Sequence, residues 1–184
     1  MQGKFEDPGI AADLAHLGRN VRKARERLGL SVGRLAALTH AKPSRLRLLE
    51  EGQQDITLRT LGRIAAALHV PAHTLFSEPF PSEKNAFQRL PVLGPDEAFA
   101  QNLRHQLEVS GYGIQATILA RCGVSPSQLY RITHGASSPL VSTVSRICRE
   151  ARVPVGEAIT PPGNLLTEGH ADDLHPERRR TEDS

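Results

Sequence analysis

The chain has 184 residues, of which 39% are hydrophobic and only 4% aromatic, with no tryptophan. That composition fits one medium domain or two small ones built from aliphatic helices and argues against a β-sandwich. The net charge of +3 is unevenly spread: residues 13–76 hold 11 Lys and Arg against 5 Asp and Glu, residues 96–159 hold 6 against 5, and residues 160–184 hold 3 against 6. A polyanionic partner is therefore expected for the first half. No apolar run approaches a bilayer span, and the opening MQGKFEDPGIAADL has no apolar leader core. Cys122 and Cys148 lack CxxC or metal-ligand spacing. The expectation is a cytoplasmic protein with reduced thiols and no membrane partner.

In chain order, a first long helix is predicted to end near Leu28–Gly29, and Ser31 caps a second helix carrying Leu35 and Ala36. Pro43 marks a third helix at its first position, Leu46 and Leu49 give it an apolar stripe, and Gly52 ends it. Thr57 opens a fourth with Leu58, Leu61, Ile64, Ala65 and Leu68 inward, and Pro71 starts a last turn that buries Leu75 and Phe76. Residues 77–95, SEPFPSEKNAFQRLPVLGP, form a Pro-rich linker with one helical turn around Lys84–Leu90. Fully extended, such a linker reaches about 60 Å.

The same signals then return. HAKPSRLRLLEEG (40–52) becomes GVSPSQLYRITHG (123–135), and TLGRIAAALHVPAHTLF (60–76) becomes TVSRICREARVPVGEAI (143–159), both at an offset of 83. NVRKARERLG (20–29) becomes NLRHQLEVSG (102–111) at an offset of 82, so one residue is added near Tyr112–Ile114. Two copies at so long a period indicate tandem duplication of a domain, not a solenoid. In the second copy Ser125-Pro126 opens a helix with Leu129 and Ile132 inward, Gly135 ends it, and Ser138-Pro139 starts the next, with Val144 and Ile147 in the core. The expected organisation is all-α: one five-helix domain over 13–76, a linker over 77–95, a second five-helix domain over 96–159, and a disordered tail over 160–184 whose RRR is solvated.

GLSVGRLAALTHAKPSRLRLLEEG and GVSPSQLYRITHG both resemble the helix-turn-helix of the Cro/phage-repressor family, also called the xenobiotic response element type. The resemblance covers about residues 17–76 and 98–159, and implies two lambda-repressor-like domains in which one helix braces on phosphates while the next lies in the major groove. The retained Leu46/Leu129 and Leu49/Ile132 then hold each domain together, and the changed polar positions face outward.

The resemblance implies base-reading by Ser44, Arg45, Arg47 and Leu48 in copy one, and by Ser127, Gln128, Tyr130 and Arg131 in copy two. Arg suits guanine and Gln suits adenine. Pro43 and Pro126 stand where the family commonly has Gln. The implied phosphate contacts are Asn20, Arg22, Arg34, Lys42 and Arg59, then Asn102, Arg104, Gln115 and Ser142. Gln115 and Val32 occupy the start of the bracing helix. Arg25 and Glu50 correspond to a structural ion pair of the family, whose place is taken in copy two by Leu107 and Thr133.

Other chemistry finds little support. His69 and His73 flank Pro71 without a third ligand, so no metal is expected. SGYG (110–113) lacks the strand and Lys of a phosphate-binding loop. No HExxH, nucleophile elbow or carboxylate pair is present, and neither an enzyme nor a cofactor is expected. The sequence predicts a DNA-binding transcriptional regulator, most simply a repressor covering a promoter. Either both copies touch double-stranded DNA, or one reads while the other forms a homodimer. The alternative is an antitoxin or bridging cofactor with a protein partner.

Overall fold

A computed structural model of the chain describes residues 7–81, 93–110 and 112–162. Among these residues the fold is all-helical, with no strand. The first half contains α1 (Pro8–Arg27), α2 (Val32–Leu38), α3 (Pro43–Glu50), α4 (Leu58–Ala67) and a 3-10 turn (Ala72–Phe76). The second contains α5 (Pro95–Ser110), α6 (Tyr112–Arg121), α7 (Pro126–Thr133), α8 (Val141–Ala151) and the short α9 (Val155–Ala158). The turn expected around Lys84–Leu90 and the RRR of the tail lie outside the described residues.

The starts of α1, α2, α4 and α7 follow from a polar cap that satisfies first-turn amides. Ser31 Oγ accepts from Arg34 N at 3.1 Å and Thr57 Oγ1 from Thr60 N at 3.2 Å. Ser125 and Gln128 cap each other reciprocally at the start of α7, at 3.2 and 2.9 Å. α1 begins ahead of the boundary expected at 13, because Asp7 accepts from Gly9 N and Ile10 N with Pro8 at the first turn. α6 opens at Tyr112, which places Gln115 inside the helix rather than at its start.

The backbone repeats itself in its least common conformations. Gly52 and Gly135, at equivalent positions after α3 and α7, have φ of 71° and 68°. Outside glycine, His69 and its counterpart Arg152 both take the left-handed region, at 55° and 57°. One continuous core results. Leu14, Leu17, Leu35, Leu46, Leu49, Leu58, Leu61 and Leu75 pack in the first half, and Phe99, Leu103, Ile118, Leu129, Val141, Val144 and Ile147 in the second.

The halves meet along a seam with local two-fold symmetry. Thr57 and Leu140, equivalent at the offset of 83, form an antiparallel β-bridge. Leu58 N donates to Pro139 O and Val141 N donates to Ile56 O, both at 2.9 Å. The next pair also exchanges roles: Ser138 Oγ accepts from Arg59 N at 2.8 Å, while Asp55 Oδ1 accepts from Ser142 N at 3.3 Å. Each half thus supplies a cap for the other's fourth helix. This corrects the expectation that Ser138-Pro139 opens a helix. Ser138 and the Pro139 carbonyl are engaged across the seam, and α8 starts at Val141 with Leu140 in the cap position.

Around the seam α1 packs on α8, α4 on α5, and the 3-10 turn on α9. Arg149 forms a two-pronged ion pair with Asp7 at 2.8 Å to each oxygen, and Arg59 lies 3.4 Å from Asp96. The Arg149 guanidinium, ahead of the amides of Gly9 and Ile10, holds the Asp7 carboxyl below its ordinary pKa.

Candidate nucleic-acid interface

α3 is an amphipathic rod. Leu46 and Leu49 are buried, whereas Ser44, Arg45, Arg47 and Leu48 are exposed, Leu48 by 37%. Among the described residues neither the Arg45 nor the Arg47 side chain makes a hydrogen bond or ion pair. Both guanidiniums are therefore unengaged on the open face, with five donors each. α1 fixes the far end of this rod. Arg25, only 8% exposed, donates from Nε and Nη2 to the two Glu50 oxygens at 2.6 and 2.9 Å, and from Nη1 to Leu30 O at 2.8 Å. Gly18 lets α1 approach closely, since a Cβ there would collide with the Leu49 carbonyl.

A groove of about 620 Å³ runs beside α3, lined by Lys42, Arg45, Arg63, Thr57 and, from the other half, Leu140. Leu140 is 44% exposed. The seam therefore opens on the same groove as the outward Arg of α3. Arg63, which donates to the Thr39 carbonyl, adds a cation that the sequence patterns did not single out. Its position midway along α4 carries no local signal, because only packing brings that turn beneath the α2–α3 corner.

In α7 the counterparts Ser127, Gln128, Tyr130 and Arg131 are all exposed. Their chemistry differs from that of α3. The Gln128 carboxamide oxygen accepts from Ser125 N, which leaves its amide donors outward and occupies the acceptor that a bidentate adenine contact needs. Tyr130 stacks on His134 with ring centroids 3.9 Å apart. His134 Nδ1 lies 2.8 Å from Tyr130 O, an arrangement that places a proton on Nδ1 and turns Nε2 outward.

The expected phosphate contacts divide sharply. Arg34, Lys42 and Gln115 are exposed. Arg22 is exposed but bonded to Glu26 at 2.8 Å, and Arg59 leans toward Asp96 across the seam. Asn20 is 3% exposed and spends both amide protons on Leu75 O and Ser77 O, at 3.0 and 3.1 Å. Asn102 does the same with Ala158 O and Thr160 O, at 3.0 and 2.8 Å. These two residues tie the last turn of each half to its first helix and have no donor left for a phosphate. Ser142 is buried in the seam. Arg104 donates from Nε to Thr133 O at 3.1 Å and from Nη2 to the same carbonyl, holding the end of α7.

Cys122 and Cys148 are buried free thiols. Burial pushes both up, Cys148 to about 12, so neither ionises near neutral pH. Among the described residues no group of three or more His, Cys, Asp and Glu is placed to hold a metal ion, and no helix is long and apolar enough to cross a membrane.

Residues 16–75 match the family model of a helix-turn-helix domain. Neither curated proteins nor solved structures give a match to the chain. The first half of the chain therefore contains a helix-turn-helix domain.

Proposed function

We propose that the chain is a sequence-specific DNA-binding transcriptional regulator, a repressor that acts by covering a promoter, and that both halves contribute a helix to the major groove. The observation that carries this reading is the unengaged pair Arg45 and Arg47 on the open face of α3, within the segment that matches a helix-turn-helix domain. The seam supports the second part. The bonds exchanged at the Thr57–Leu140 bridge support a two-fold relation between the halves, the relation by which paired helix-turn-helix units engage half-sites roughly 34 Å apart. Here both units belong to one chain, and their outward residues differ, so the two half-sites differ in sequence.

In this reading Arg45 and Arg47 contact guanines, while Arg131, Ser127 and the outward amide of Gln128 address the other half-site. Arg34, Lys42 and Gln115 contact phosphates and set most of the salt dependence. Selection from a random duplex library, followed by footprinting, tests it. The expected result is one composite site with unlike halves, in which joint Arg45→Ala and Arg47→Ala relaxes preference in one half alone, at roughly 1–3 kcal/mol for each arginine–guanine pair removed. A library with no enriched sequence rejects the reading. It would direct attention to the exposed Tyr130–His134 stack of the near-neutral second half as a surface for a protein partner, the antitoxin-like alternative.

A further inference from the structure

The two halves differ at the positions where α4 and α8 meet the turn that follows them. In the first half Leu68 and Leu75 are buried, at 2% and 0% exposure, and fill the space against α1. Their counterparts at the offset of 83 are Ala151 and Ala158. Each of these is three side-chain carbons shorter. Phe99 in place of Leu17 and Cys148 in place of Ala65 return part of the volume. The remainder is a pocket of about 220 Å³ lined chiefly by Phe99, Leu103, Ile147, Cys148 and Val153, with Ala151 and Ala158 in its wall.

The pocket opens to solvent on one side, and its apolar walls offer dispersion contacts that water satisfies poorly. A cavity of about 150 Å³ with such walls is large enough to take up benzene. This pocket is larger and has a polar edge. His105 and Glu157 stand at it, and among the described residues neither side chain makes a hydrogen bond or ion pair. The neutral thiol of Cys148 adds a soft apolar surface.

We propose that the pocket between α5, α8 and α9 is a binding site for a compact aromatic molecule of one or two fused rings carrying a single hydrogen-bond donor. The ring lies against Phe99 and Ile147 in the space that Leu68 and Leu75 occupy in the other half, and the donor meets the Glu157 carboxylate. This site stands independently of DNA recognition. Occupancy braces α5 against α8, the two helices through which the second half contacts α4 and α1 of the first.

Indole and toluene are the probes, added to the full chain during thermal unfolding. Indole at about ten times its Kd is expected to raise the midpoint by roughly 3–5 °C, with a smaller shift for toluene, which lacks the donor. The filled variant Ala151→Leu with Ala158→Leu should unfold at a higher temperature than wild type and lose the indole response. Selective movement of the Ala151 and Ala158 methyl signals on adding indole to wild type supports the site without any variant, and so covers the case in which the filled variant does not fold. The proposal is overturned by absence of both the shift and the methyl response, or by an undiminished shift in a folded filled variant.

Discussion

The first and second halves hold their outward helices by different chemistry. In the first, a buried guanidinium and a buried carboxylate pin the end of α3 to α1. In the second, the aligned positions are Leu107 and Thr133, and the tie passes to Arg104, one turn earlier on α5, which donates to the backbone carbonyl of Thr133. Thr133 Oγ1 turns inward to Leu129 O at 3.0 Å. A buried ion pair is worth little over a well-packed apolar pair, whereas half of one is strongly unfavourable, so both charges must disappear together. The two halves show that either solution serves. What it keeps fixed is the attachment of the helix end, not the means.

The sharpest way to break this comparison is to remove half of the ion pair. Glu50→Ala leaves the buried Arg25 with the Leu30 carbonyl and the more exposed Glu26 carboxylate 3.6 Å away, and should destabilise the chain by about 3 kcal/mol in urea unfolding. Arg25→Leu with Glu50→Thr imports the letters of the second half and should cost much less, roughly 1 kcal/mol. Equal destabilisation in the two variants would show that α3 depends on the charges themselves.

The seam offers a smaller effect and a more specific readout. Ser138→Ala removes the cap on Arg59 N, and Asp55→Ala removes the cap on Ser142 N, each costing about 1 kcal/mol. Hydrogen exchange should quicken at Arg59 in the first variant, and in the second at Ser142 and at Ile56, whose amide also donates to Asp55 Oδ1 at 2.9 Å. Unchanged protection at the Arg59 and Ser142 amides would refute reciprocal capping.

The smallest effect lies at the edge of the seam and depends on pH. Asp7 has its pKa depressed in the folded chain, so its contribution is fully present above the pKa of an unfolded aspartate and is lost as pH falls through the lower folded value. Wild type and Arg149→Ala should therefore differ in stability near neutral pH and converge in acid, as followed by thermal unfolding. Parallel curves down to the lowest pH would assign the Asp7 contact no role in folding.

Within each half several helix ends were legible from single residues. Ser31, Thr57 and Ser125 announced helix starts, Pro43 and Pro126 their first turns, and Gly52 and Gly135 their ends, because these are local effects of one side chain on its own backbone. The start of α1 was equally local, written in Asp7-Pro8, yet lay outside the span that repeats. The seam was not legible. Ser138 carried the signal of a helix start in its own half and Asp55 carried none, because a cap that acts across roughly 80 positions leaves no local pattern. Asn20 and Asn102 show the same limit. An Asn on an exposed-looking turn of an amphipathic helix suits a phosphate, but the carbonyls that claim it belong to a turn more than 50 residues later. Arg45 and Arg47 were legible as outward cations because the i, i+3 stripe of Leu46 and Leu49 fixes which side of α3 faces the core.

Reciprocal capping at residues 55–59 and 138–142 also bears on how the chain responds to its own abundance. Two separate subunits must find each other from dilute solution, and their partnership dissolves as they become scarce. Here covalent continuity keeps the partners at a high effective concentration however few molecules are present. Dilution leaves the composite surface assembled, and any target engaged by both halves is filled in direct proportion to chain number, with no assembly threshold.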